Sequence, residues 1–125
     1  MAYHVFLVDD DRFLLDLYAV KFKNAGHEVT VFGGGEDLLT ALRKEGVAQP
    51  DAILLDLIMP QMSGMDVLTR LKNQPETQKI PVIMLTNIDD ITVIQEAQRK
   101  GADGFLVKAY YQPEELRAHV ENLIK

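Results

Sequence analysis

The sequence predicts an α/β domain wound around a five-stranded parallel sheet. Short apolar runs rich in β-branched residues alternate with longer segments of helical period, five times along the chain. Three of those runs are apolar without alternation, the pattern of strands covered by helices on both faces. A chain of 125 residues, 47% of them hydrophobic, is enough for one compact domain of this kind, taken here as residues 1–125.

The elements follow in order. Val5-Phe6-Leu7-Val8 is the first run, and a helix is expected over 12–24, ended by Gly26. Val29-Thr30-Val31-Phe32 is the second run. It leads into Gly33-Gly34-Gly35 and a helix over 36–45. Ala52-Ile53-Leu54-Leu55 precedes a helix over 64–73. Val82-Ile83-Met84-Leu85 precedes one over 90–100, ended by Gly101. Phe105-Leu106-Val107 is the last run, and Pro113-Glu114-Glu115 opens a helix over 113–124. Five βα units in sequence give a doubly wound sheet with right-handed crossovers.

Composition removes several function classes. Without cysteine there is no disulfide scaffold and no thiolate metal site, which suits a reducing, cytoplasmic setting. A net charge of −6 opposes direct nucleic-acid binding, which needs a basic face. No apolar run reaches the ~18–20 residues that span a bilayer, and Met1-Ala2-Tyr3-His4 carries no export signal.

In such sheets chemistry gathers beyond the carboxyl ends of the strands, where the winding direction switches. After the first run come Asp9, Asp10 and Asp11; after the third, Asp56; after the fourth, Thr86; after the fifth, Lys108. Any one of these is an ordinary loop residue, but together they bring acids, a hydroxyl and an ammonium to one edge. Asp9, Asp10 and Asp56 repel one another unless a cation intervenes. Their donors are all oxygens, which points to a hard ion, and Mg²⁺ fits because it takes one or two carboxylates, keeps waters and accepts phosphate oxygens. Thr86 and Lys108 can meet a developing or formed anion. With a carboxylate as nucleophile, the set reads as phosphoryl transfer to aspartate. Asp56, a single acid between Leu55 and Leu57 at the end of a buried strand, is the preferred nucleophile. Asp9 and Asp10 form the ion cradle, and Asp11 is a helix cap.

Val8-Asp9-Asp10, the stretch Asp56-Leu57-Ile58-Met59-Pro60-Gln61-Met62-Ser63-Gly64, Pro81 to Thr86, and Gly101 to Lys108 together resemble the receiver domain of bacterial two-component response regulators. The resemblance covers essentially the whole chain. It implies a flavodoxin-like sheet in order 2-1-3-4-5. It implies that Asp56 accepts a phosphoryl group from a phosphohistidine on a sensor histidine kinase or histidine phosphotransfer protein. By the same likeness, Asp10, Asp56 and the Ile58 carbonyl bind Mg²⁺ and Asp9 acts through water. Thr86 and Lys108 then hold the phosphoryl oxygens, Phe105 is the aromatic switch, and the surface of the fourth helix, fifth strand and fifth helix changes. The domain is not an enzyme in the usual sense, though it assists its own phosphorylation and dephosphorylation. Its readers would be a downstream protein or a fused output domain, with phosphorylation-dependent dimerisation as a further outcome.

The chain departs from the family pattern in places. Ala109 stands where proline, with a cis bond, is usual; a cis bond to alanine costs about 3–4 kcal/mol, so a trans bond is expected. Asn87 replaces a small residue beside the site. Ile58 and Ile88 flank the phosphoryl position and offer nothing to orient an attacking water, so slow self-dephosphorylation is expected. These departures leave open a pseudo-receiver, a constitutive binding module on the same fold.

Some features sit outside the site. The triple glycine lacks the Lys-Ser/Thr of a phosphate loop and is read as a flexible turn. Leu14, Tyr18 and Phe22 form a core stripe of the first helix. Phe13, Leu17 and Val20 form a second stripe, either further core or an exposed docking ridge for a partner helix. Tyr110 and Tyr111 either cover the sheet edge or join a signalling surface. Leu116, Val120, Leu123 and Ile124 read as core. His4, His27 and His119 read as surface or strand-end residues. The chain ends with the last helix and is read as a single-domain regulator or as one part of a longer protein.

Overall fold

A computed structural model describes residues 2–44, 46 and 48–124. The elements are β1 (His4–Val8), α1 (Arg12–Asn24), β2 (Glu28–Phe32), α2 (Gly35–Arg43), β3 (Ala52–Leu55), α3 (Gly64–Lys72), β4 (Val82–Thr86), α4 (Ile91–Arg99), β5 (Gly104–Val107), a 3₁₀ turn (Lys108–Tyr110) and α5 (Pro113–Ile124). The strands pair in parallel, in the order β2-β1-β3-β4-β5. Fold class and strand order are those expected.

Helices α1 and α5 have the expected bounds, α2 begins one residue earlier at Gly35, and α3 and α4 fall short of their periodicity where cap residues take their ends. Asp11 caps α1 by accepting the Leu14 N–H at 3.2 Å, Ser63 caps α3, and Asp90 caps α4 through the Thr92 N–H at 2.8 Å. Asn73 and Lys100 are C-caps and not helical residues. Position 45, placed in the second helix by its periodicity, lies outside the described residues.

The pleat explains the uninterrupted apolar strands. Along β1, Phe6 and Val8 enter a core shared with α2, α3 and α4, while Val5 and Leu7 enter a core shared with α1 and α5. In β3, Ile53 and Leu55 take the first side and Leu54 the second; in β4, Val82 and Met84 oppose Ile83 and Leu85. Edge strand β2 is only half-buried.

Two packing expectations need correction, and His27, at a strand end as one of its two readings had it, is not a surface residue. The core stripe of α1 is Leu15, Tyr18, Ala19 and Phe22, while Leu14 is only half-buried. The i, i+3, i+4, i+7 set faces the sheet, whereas strict spacing by four drifts around the helix. In α5, Leu116 and Val120 are fully buried, but Leu123, whose side chain lies over Gly104 of β5, is 42% exposed and Ile124 is half-buried. His27 is buried: its Nδ1 accepts the Tyr3 N–H at 3.0 Å and its Nε2 lies 2.6 Å from Glu121, tying β1 to α5.

Candidate functional site

Each polar group of the predicted set leaves the carboxyl end of a strand. Asp9 follows β1, Asp56 follows β3, Thr86 ends β4 and Lys108 follows β5. The three inner strands, paired Val8↔Leu55 and Leu55↔Met84, hold these ends level. Asp56 is fixed from below by its N–H bond to the Val8 carbonyl at 3.0 Å. It is fixed from the side by Gly64, where a Cβ would come within 2.1 Å of the Asp56 carbonyl oxygen. Only glycine allows α3 to approach that closely, and the Gly64 N–H bonds the Leu57 carbonyl at 2.8 Å.

The cleft has a volume of about 370 Å³. Carboxylate oxygens of Asp9, Asp10 and Asp56 lie within 4.8 Å of one another. Asp9 and Asp56 are buried, while Asp10 faces solvent. Lys108 is buried between them; its Nζ donates to Asp9 Oδ2 at 2.5 Å and stands 3.5 Å from Asp56 Oδ2. Asp9 Oδ1 accepts the Asp11 N–H at 2.9 Å, and Asp56 Oδ1 accepts the Leu57 N–H at 2.8 Å. That leaves Asp56 Oδ2 toward the cleft.

Burial pushes the Asp56 carboxyl above its ordinary value, the Lys108 charge pulls it back, and the Asp9 charge adds to the rise. Burial alone would lower the Lys108 ammonium, yet its hydrogen bond to Asp9 and the charges of Asp56 and Asp9 raise it. One lysine faces three acids, so the cleft keeps a net negative charge that a small oxygen-seeking cation would neutralise. Ligands of an octahedral Mg²⁺ are about 4.2 Å apart when opposite and about 3 Å when adjacent, so these carboxylates would draw inward to share such an ion.

The flanking residues sort by exposure. Ile58 is 64% exposed at the rim, Asn87 is exposed, and Ile88 is half-buried against the core; all three line the cleft with Leu14. Leu14 was missed because the stripe argument assigned it to the core. Ala109 is exposed, and the described residues contain no cis peptide bond, so the bond from Lys108 is trans, as expected. Phe105 is half-buried and packs on the α4 side of the sheet. With Met84 paired to Phe105, Thr86 lies on that same face, one diagonal step away. On α1, Phe13 is 77% and Val20 50% exposed with Leu17 half-buried, so the second stripe is a surface ridge and not further core.

A doubly wound parallel domain that gathers acids and a lysine at its switch point belongs with the flavodoxin-like α/β proteins, and comparison narrows the class. A family model, the response regulator receiver domain, matches residues 5–121; the chain belongs to that family. It is 33% identical over 120 residues to the DNA-binding response regulator MtrA of Mycobacterium tuberculosis, covering 96% of this chain and 50% of MtrA. It is 32% identical over 124 residues to the DNA-binding dual master transcriptional regulator RpaA of Synechocystis, covering 97% and 48%. The chain therefore spans about half the length of these curated relatives. Among solved structures it resembles the chemotaxis response regulator CheY4 of Vibrio cholerae, with a TM-score of 0.88, 28% identity and coverage of 98% and 99%. It also resembles the BeF3-activated DrrB receiver domain, with a TM-score of 0.80, 30% identity and coverage of 99% and 98%. No helix among the described residues is long and apolar enough to cross a membrane.

Proposed function

We propose that this receiver domain is a phosphorylation-dependent switch with Asp56 as its phosphoacceptor. The observation that carries the reading is the Asp56 carboxylate, set in a cleft with two further carboxylates, its Oδ2 3.5 Å from the Lys108 ammonium. In the transfer, an Asp56 oxygen forms a bond to phosphorus as the P–N bond to a partner's phosphohistidine breaks, and the bonding pair returns to the imidazole. Asp10 and Asp56, with the Ile58 carbonyl, would hold Mg²⁺, and Asp9 would act through a water. When bound, the ion offsets the negative charge that would otherwise repel an incoming phosphoryl group.

Lys108 then exchanges part of its contact with Asp9 for a phosphoryl oxygen, and the Thr86 hydroxyl turns toward another. Because Thr86 and Phe105 share one face of adjacent strands, movement of Thr86 changes the space open to the Phe105 ring. The change passes to the surface of α4, β5 and α5, where a downstream protein, a fused output domain or a second copy would read it. The Phe13–Leu17–Val20 ridge, beside the cleft on α1, is the docking face for the kinase or phosphotransfer partner. The lack of cysteine suits work in the cytoplasm. Ala109 and Asn87 leave the acids and Lys108 assembled, so neither favours a constitutive binding module.

Intact-mass measurement with acetyl phosphate tests the reading. Wild type should gain one phosphoryl group with Mg²⁺ and none with chelator, and Asp56→Asn should gain none. A wild type that never gains mass, or an Asn variant that does, overturns it.

A further inference from the structure

β4 and β5 are neighbours, with Thr86 paired to Val107. The chain leaves β4 through Asn87–Asp90 and leaves β5 through the turn Lys108–Tyr110, so two loops run side by side at the site edge. One carries the segment behind Thr86; the other begins with Lys108 itself. The Tyr110 hydroxyl donates to Asp89 Oδ2 and joins them. Among the described residues no other side-chain hydrogen bond links these loops. Tyr110 is 63% exposed, so core packing does not hold its ring over Asp89.

The residue that follows each end of this contact is anchored. On one side, Asp90 caps α4, so Asp89 sits between a buried strand end and a fixed helix start. On the other, the Tyr111 N–H returns to the Lys108 carbonyl at 3.3 Å, and its ring packs edge-on against His119 of α5 at 4.6 Å. The bond therefore reports the spacing between two segments and not the wandering of one long side chain.

We infer that the Tyr110–Asp89 hydrogen bond is a latch that holds the loop behind Thr86 in the packing seen here and is released when the site switches. The inference rests on the phosphoacceptor reading. A phosphoryl group on Asp56 draws Thr86 and Lys108 inward, and Asp89 and Tyr110 follow them by three and two residues. A contact present in one packing and lost in the other biases the equilibrium toward the first. Its chemistry suits a latch, since one exposed neutral donor on a carboxylate is a modest, reversible interaction.

Tyr110→Phe removes the hydroxyl and keeps the ring; Asp89→Ala removes the acceptor. Two measurements on the full chain decide the matter. The first is amide hydrogen exchange over 87–90 in the free protein. Each single variant should speed it about two- to tenfold, and the double variant should add little. The second is titration with beryllofluoride and Mg²⁺, where both variants should bind more tightly than wild type by a similar factor. Unchanged exchange means the bond is not made, and faster exchange with unchanged beryllofluoride affinity means it is not coupled to switching; either overturns the latch. A wild type that binds no beryllofluoride overturns the phosphoacceptor reading, and the latch with it.

Discussion

Replacing Asp56 with asparagine should make the metal-free protein more stable while abolishing its chemistry. The carboxylate sits no more than 4.8 Å from oxygens of Asp9 and of Asp10. At an effective dielectric of about 20, each such pair costs about 3.5 kcal/mol, and the Lys108 ammonium at 3.5 Å returns about 5 kcal/mol. The two repulsions exceed the attraction by about 2 kcal/mol. Solvent at the exposed Asp10 reduces that figure, and the desolvation of Asp56 adds to it. A gain of about 1–2 kcal/mol follows, which in a domain of this size raises Tm by roughly 4–8 °C. Asparagine keeps an oxygen that can accept the Leu57 N–H, so that bond is retained.

The assay is thermal unfolding in chelator and in Mg²⁺. Saturation to ten times Kd should stabilise wild type by about 1.4 kcal/mol, and the Asn variant, short of one ligand charge, should respond less. The pH dependence has a definite sign. A carboxyl raised in the folded state costs stability above that raised pKa, and the cost disappears as pH falls and the group protonates. The advantage of Asp56→Asn should therefore shrink on acidification. An Asn variant that melts at or below wild type in chelator, or that shifts equally with Mg²⁺, would refute the electrostatic account.

Further predictions concern the rim and the far side of the fold. Phe13→Glu should reduce phosphoryl transfer from a cognate phosphohistidine protein at least tenfold and leave acetyl phosphate labelling intact; equal losses in both assays would dismiss the α1 ridge as a docking face. Ile88→Glu should speed phosphate release severalfold by orienting a water at an otherwise apolar rim, and an unchanged or slower rate counts against that role. Glu121 is held below the ordinary carboxylate range by its hydrogen bond to His27 and then by Arg117. Its contribution is present at neutral pH and is lost as pH falls through that lowered value. Glu121→Gln should thus lower Tm at neutral pH, with the difference closing in acid; a gap that stays constant across pH would show that the charge plays no part.

Much of this was legible in the residues. Apolar runs without alternation marked β1, β3 and β4, because each packs against helices on both faces. Reading one residue past each run located Asp9, Asp56, Thr86 and Lys108, since a parallel sheet delivers all its carboxyl ends to one edge. Asp11 was recognisable as a cap from its place before the helix. Contacts set by three-dimensional packing were less visible. Leu14 and Leu15 are chemically identical neighbours, and only the angle at which α1 meets the sheet sends Leu15 inward. His27 looks like a loop residue until Tyr3 and Glu121, from opposite ends of the chain, close on its two nitrogens. The Tyr110–Asp89 contact joins exposed residues with no periodicity to mark them. The direct bond from Lys108 to Asp9 spans 99 positions, and the sequence places both groups at one edge without showing that they touch.

Chemical trapping of the acyl phosphate tests the central claim most directly. Protein phosphorylated with acetyl phosphate and Mg²⁺, then reduced with borohydride and digested, should yield a peptide in which position 56 has become homoserine, with Asp9 and Asp10 unmodified. Reduction at any other aspartate, or none in a protein that has gained phosphoryl mass, would contradict the assignment of Asp56 as the acceptor.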